Sequence, residues 1–105
     1  MKITVITVSF NSATTIADTI LSVARQSHLD VEHLVFDGQS TDGTIGVVET
    51  HRHLNLALSS EPDDGIYDAM NKGLNRATGD VIGFLNADDF FSDADVLGRV
   101  AMTFE

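Results

Sequence analysis

Strand-like and helix-like segments alternate four times along this chain, and that order leaves few architectures open. Lys2–Ser9 places Ile, Val and Thr in the alternating manner of a strand. Ile16, Ile20, Leu21, Val23 and Ala24 then recur at helical spacing, which predicts a helix over 13–26 capped by Asn11 or Ser12. A second strand is expected over 32–36, closed by Asp37-Gly38, and a second helix over 42–51 capped by Ser40 or Thr41. Residues 54–59 read as a third strand, and the turn "EPDDG" after it holds the only proline. A third helix follows over 65–77, with Ile66, Met70 and Leu74 on one face, until Thr78-Gly79-Asp80 breaks it. Val81–Leu85 is a fourth strand, apolar on both faces and therefore expected at the centre of the sheet. Ser92 or Asp93 caps a last helix that carries Val96, Leu97, Val100, Ala101 and Phe104.

The order β-α-β-α-β-α-β-α predicts an α/β chain with a mostly parallel sheet and helices on both faces. In open sheets of this kind, ligands bind beyond the carboxyl ends of the strands, where the strand order reverses. Chemically suggestive residues should therefore follow strands. They do: "SFN", "DGQSTDG", "EPDDG" and "NADD" each come after one. Within the 105 residues there is no internal repeat, low-complexity tract or linker, so the chain reads as one unit.

Sixteen acidic residues against six basic ones give a formal charge of -10. Such a field repels nucleic acid, which is excluded as a partner. It serves solubility, or part of it converges on a divalent cation. The chain has no cysteine, which removes disulfides, thiolate metal sites and cysteine nucleophiles and fits a reducing compartment. The opening "MKITVITVSFNS" is too short for a signal-peptide core. No apolar run approaches the roughly 20 residues of a membrane span.

In "VIGFLNADDFF" an apolar strand stops at two adjacent carboxylates, Asp88 and Asp89. Such a pair repels itself unless a proton, a partner or a cation intervenes. A hard cation such as Mg²⁺ or Mn²⁺ takes one or two protein carboxylates and completes its shell with phosphate and water. The plainer reading is a polar turn that starts the next helix. In "FDGQSTDGT", Asp37 at the mouth of the second strand either meets a nucleotide base or ribose or serves the turn. Phe10 either stacks on a base or enters the core, and Asn11 either touches ligand or caps a helix. No G-x-G-x-x-G or Walker loop occurs, which argues against NAD enzymes and P-loop NTPases. His51 and His53 fall near a helix end, where the dipole suits histidine better than metal ligation explains them. His28 and His33 are isolated and read as structural or exposed. Lys72 and Arg76 form a solvated face, with Lys72 set either to approach a diphosphate or to pair with Asp68 one turn away.

Taken together, "ITVSFNSATTIADTILSVARQS", "VFDGQSTDGT" and "SEPDDGIYDAMNKGLNRATGDVIGFLNADD" resemble family 2 glycosyltransferases of the Rossmann-like GT-A fold. The resemblance covers nearly the whole chain. Its third block looks most like bacterial transferases that build surface or exopolysaccharides. The resemblance implies that residues 1–105 are the N-terminal, nucleotide-sugar-binding portion of such an enzyme. Ser9, Phe10 and Asn11 would line the nucleotide pocket, with Asn86 and Asp88 contributing from the "NADD" loop. Asp37 would read the base, uracil or guanine. Asp88, with Asp89 beside it, would hold a Mg²⁺ or Mn²⁺ ion that bridges the donor diphosphate. Sugar would pass from a UDP- or GDP-type donor to a saccharide or lipid-linked acceptor, with inversion expected, and the fragment alone is expected to have little or no activity.

The pattern departs from the family in two ways. Asn86 stands where the first acid of a D-x-D motif is expected, and an amide is the poorer cation ligand. The general base belongs to the later part of family members, so no residue here is assigned it. Asp63, Asp64 and Asp68 lie on the donor side. Two other classes compete. A non-catalytic nucleotide-binding fragment keeps the same fold. A nucleotidyltransferase needs a basic glycine-rich loop that "SFNSATT" lacks. The apolar face of the last helix, with Val96, Val100 and Phe104, predicts self-association. The expected location is the cytoplasm, at the inner face of the membrane for the full-length protein.

Overall fold

The computed structural model describes residues 1–105 as four parallel strands and four helices in strict alternation. These are β1 (Ile3–Ser9), α1 (Ile16–Ala24), β2 (Val31–Asp37), α2 (Thr44–His51), β3 (Leu56–Ser60), α3 (Ile66–Arg76), β4 (Val81–Phe84) and α4 (Val96–Phe104). The sheet order is β3-β2-β1-β4. The chain steps outward from β1 through β2 to β3, then crosses back to place β4 on the other side of β1. The order thus reverses between β1 and β4, and their carboxyl ends open the crevice where ligands bind in such sheets.

Strand alternation sorts the core into two layers. Ile3 and Val5 of β1 pack with Val23 of α1 and with Leu97 and Ala101 of α4. Val35 of β2 packs with Ile16 and Ile20 of α1 and Val48 of α2. On the opposite face, Ile6, Leu34 and Phe36 meet Ala69 of α3. Helices α1, α2 and α4 therefore share one face and α3 holds the other.

Four sequence expectations need correction. First, β1 is central, whereas β4 is an edge strand in this chain. Ile82 and Phe84 are 38% and 44% exposed because α3 crosses β2 and β1 and leaves β4 bare. Second, Ile66, Met70 and Leu74 do not form the inner face of α3. Ala69 and Gly73 do, since the helix lies so close that a Cβ at Gly73 would stand 2.7 Å from the Ile6 side chain. Third, neither Asn11 nor Ser12 caps α1 through its side chain. Thr15 is the N-cap residue, and Ser12 supplies its carbonyl to the Thr15 and Ile16 N–H groups. Likewise α2 starts after Gly43 (φ 96°), where the Asp42 carboxylate, not Ser40 or Thr41, accepts the Thr44 N–H. Asp93 accepts the Asp95 N–H one step before α4. Fourth, Val96 and Val100 are partly buried, and the exposed apolar residues of α4 are Met102 and Phe104.

His33 is buried rather than exposed. Its ring stacks on His53 at 5.8 Å and its Nε2 hydrogen-bonds the Thr7 hydroxyl at 2.8 Å. Burial disfavours the charged ring and, with the nearby His53, pushes its pKa down to about 3. His51 is taken up by the Val47 carbonyl and His28 by that of Met1.

Candidate active site at the carboxyl edge of the sheet

Register brings Ser9, Asp37 and Ser60 into line across the ends of β1, β2 and β3. The Asp37 carboxylate joins them. Its Oδ1 accepts from the Ser9 and Ser40 hydroxyls at 2.8 and 2.6 Å, and its Oδ2 from the Ser40 N–H and the Ser60 hydroxyl at 2.8 and 3.0 Å. Burial works against the charge, yet the donors of Ser40, Ser9 and Ser60 outweigh it and hold the carboxyl below its ordinary range. Four donors fill the four lone-pair directions of a carboxylate. Asp37 is 2% exposed and presents no free oxygen to a ligand, so the base-reading role expected of it has no open contact here.

The loop after β1 is tied to the loop after β2. Asn11, at a positive φ of 50°, accepts the Thr41 N–H at 2.9 Å and donates its own N–H to Ser40 Oγ at 2.8 Å. Asn11 is thus neither a helix cap nor buried; it joins two loops. Between Ser9 and Asn11 the chain turns Phe10 outward, and its ring is 63% exposed. It does not enter the core. An exposed aromatic at a strand end offers a stacking surface.

The loop after β4 is held from α1. Thr15 Oγ1 donates to the Ala87 carbonyl at 2.8 Å, and Thr19 Oγ1 donates to the Asp89 carbonyl. Ala87 is buried against the α1–α2 core, which turns Asn86, Asp88 and Asp89 to the surface. The Asp89 N–H closes the turn on the Asn86 carbonyl at 3.0 Å. No cation pairs with Asp88 or Asp89; the six ion pairs of the molecule lie elsewhere. Nor do three acidic or histidine side chains converge anywhere as a ready metal cage. Two free surface carboxylates on a pinned turn fit a hard cation that draws most of its shell from phosphate and water.

A cavity of about 480 Å³ opens at this edge, lined by Val8, Ser9, Phe10, Gly38, Asp63 and Ile66. Another of about 460 Å³ lies between α1 and residues 90–94, where Asp18 and Arg25 face Phe90 and Phe91, apart from the strand ends. Lys72 does not reach toward a diphosphate. It pairs with Glu61 at 3.2 Å and Asp68 at 3.3 Å and donates to the Pro62 carbonyl at 3.1 Å. Although partial desolvation opposes its charge, the Glu61 and Asp68 contacts hold its pKa above the ordinary value. Arg76, the last residue of α3, sets its guanidinium over the Phe36 ring, 5.8 Å from the centroid.

Sequence reasoning thus located Ser9, Phe10, Asn11, Asn86, Asp88 and Asp89 along one edge. It missed Ser60, Thr15 and Thr19, and gave Asp63 no role. Ser60 carried one usable signal, a hydroxyl directly after the strand expected over 54–59.

The geometry can be set beside known proteins. A glycosyltransferase of PGL/p-HBAD biosynthesis from Mycobacterium bovis is 38% identical over 96 residues, covering 89% of this chain and 38% of its own length. The S. aureus TarS 1–349 structure in complex with UDP-GlcNAc superimposes with a TM-score of 0.89 at 32% identity, over 97% of this chain and 30% of TarS 1–349. The mannosyltransferase PcManGT from Pyrobaculum calidifontis, in complex with GDP-Man and Mn²⁺, gives a TM-score of 0.86 at 32% identity, over 95% of this chain and 31% of that one. The chain spans little more than a third of the length of the curated relatives it matches. The family model described as glycosyl transferase family 2 matches residues 4–105, and the chain belongs to that family.

Proposed function

We propose that this chain supplies the donor half of a glycosyltransferase that moves a sugar from a nucleotide diphosphate to a saccharide or lipid-linked acceptor in polysaccharide biosynthesis. One observation carries the reading. A cavity walled by Phe10 opens beyond the ends of β1 and β2, at the same carboxyl edge of the sheet as two unpaired carboxylates, Asp88 and Asp89, which follow β4. A solved relative with UDP-GlcNAc and another with GDP-Man and Mn²⁺ support it.

Each residue then has a task. Phe10 stacks on the base. Ser9 and Asn11 shape the wall beside it, and Asp37 acts from beneath by holding Ser9, Ser40 and Ser60 in register. Asp88, assisted by Asp89, would hold Mg²⁺ or Mn²⁺. Such an ion would neutralise the diphosphate as charge develops on the leaving nucleotide. Asn86 would contribute an amide hydrogen bond to ribose or to a ligand water. Thr15 and Thr19 keep this loop from shifting. Transfer with inversion needs a general base, and no residue of this chain is given that role. With a lipid-linked acceptor, the full-length protein works in the cytoplasm at the inner membrane face. The bare β4 face, with Ile82 and Phe84, lets the isolated chain self-associate.

Asn86 favours a second reading, a fragment that binds nucleotide without catalysis, because an amide weakens cation binding. Amide NMR tests the site that both readings share. Paramagnetic Mn²⁺ should broaden the signals of residues 86–89 first, and added UDP or GDP should then shift those of residues 9–11. Broadening centred elsewhere on the acidic surface would sink the assignment of the ion to Asp88.

A further inference from the structure

Asp63 occupies an unusual place in the loop between β3 and α3. That loop is held firmly. The Glu61 N–H donates to the Asp37 carbonyl at 3.0 Å, Lys72 grips Glu61 and the Pro62 carbonyl, and the Asp64 N–H donates to the Asp68 carboxylate at 3.0 Å. Asp63 Oδ1 accepts the Gly65 N–H at 3.0 Å. Its Oδ2 lies over Gly38, where an added Cβ would come within 2.8 Å of it, so glycine at 38 leaves room for this carboxylate. No protein donor meets Oδ2, and the nearest loop cation, Lys72, is committed to Glu61 and Asp68. The half-buried carboxylate therefore looks into the cavity that also holds Phe10 and Ile66.

A fixed negative charge repels a diphosphate, so this end of the cavity suits the uncharged end of a nucleotide. An exposed aromatic ring, an isoleucine and one free carboxylate oxygen together make a slot for a planar heterocycle that has a ring N–H to donate. Asp37 cannot serve, because all four of its acceptor positions are filled. We propose that Asp63 is the specificity-determining residue for the base: it accepts the ring N–H that uracil (N3) and guanine (N1) share, and it rejects cytosine and adenine, whose corresponding nitrogen is an acceptor. This rests on the donor-site reading above and sets the donor's direction, base toward Asp63 and diphosphate toward Asp88.

The test is calorimetric titration of UDP, GDP and CDP in the presence of Mn²⁺, on the wild-type chain, Asp63→Asn and Gly38→Ala, each first checked for native melting. Wild type should prefer UDP or GDP to CDP by tenfold or more, as loss of a charged hydrogen bond costs about tenfold. In Asp63→Asn that preference should collapse, with the UDP or GDP affinity falling by about tenfold and CDP gaining, because an amide can donate to the cytosine nitrogen. Gly38→Ala, which displaces the carboxylate, should reproduce the loss. A merely structural role would weaken all three nucleotides alike, and an unchanged UDP-to-CDP ratio in Asp63→Asn overturns the proposal while leaving the donor site intact. Absence of any nucleotide binding by wild type overturns the donor-site reading, and this assignment with it.

Discussion

Replacing Asp37 by Asn changes one atom and tests how the strand ends are joined. The wild-type carboxylate accepts from three hydroxyls and one backbone N–H while 2% exposed. The amide can keep its oxygen toward the Ser40 N–H, but its NH₂ then confronts the Ser9 and Ser40 hydroxyls, which must turn to accept. Hydrogen bonds to a charged group contribute about 1.5–3 kcal/mol and neutral ones about 1, so weakening this set costs about 2–3 kcal/mol. That is a large share of the roughly 5–15 kcal/mol that holds a small domain folded. The folded-state pKa of Asp37 lies below its unfolded value of 3.8. The contribution is therefore complete above pH 3.8 and is lost as pH falls through the lower, folded value. Urea unfolding of wild type and variant should show the full gap at pH 7 and pH 5, and a narrower one near pH 3. A variant within about 0.5 kcal/mol of wild type at pH 7, the ordinary scatter of surface changes, would refute the reasoning.

Other outcomes follow from single contacts. His33 ionises at about 3 in the fold against 6.5 unfolded, so stability should fall by about 1.4 kcal/mol per pH unit below 6.5. His33→Leu should lose that part of the slope in urea melts from pH 7 to 5, and an unchanged slope counts against a buried neutral ring. Gly79→Ala sets a Cβ 2.6 Å from the Thr4 backbone nitrogen, which cannot move aside, and should lower stability by about 3 kcal/mol. Gly46→Ala meets nothing within 4 Å in α2 and should raise it by about 0.5–1 kcal/mol; equal melting shifts for the two glycines would contradict this. Phe84→Lys should shift the chain toward monomer in sedimentation at high concentration, and wild type that is already monomeric there removes the self-association proposal.

Much of this architecture was legible because periodicity is local. Residues 2–9 are a short run rich in Ile, Val and Thr, and Ile16, Ile20 and Val23 recur along α1, whatever the rest of the chain does. What escaped was set by distance. Ranking by apolar size picks Ile66, Met70 and Leu74 in α3, yet a helix resting this close to Ile6 can only present Ala69 and Gly73. An apolar strand reads as central, but β4 owes its edge place to the crossing of α3 over β1 and β2. The site divides in the same way. "NADD" and "SFN" are visible as polar punctuation after strands. The closure of Asp37 by Ser9 and Ser60 is not, because residues 9, 37 and 60 meet only once the strands are in register. His33, with no apolar label, gave no sign that it would be buried against His53.

The central claim is that Asp88 couples a divalent cation to a nucleotide diphosphate at this sheet edge. Calorimetric titration of the chain with UDP and with GDP, with and without Mn²⁺, repeated on Asp88→Ala, addresses it directly. The expected result is binding of one nucleotide that requires Mn²⁺ and disappears in Asp88→Ala while the variant still melts as wild type does. Binding that ignores Mn²⁺ or survives the substitution, or no heat from folded protein with either nucleotide, would contradict it.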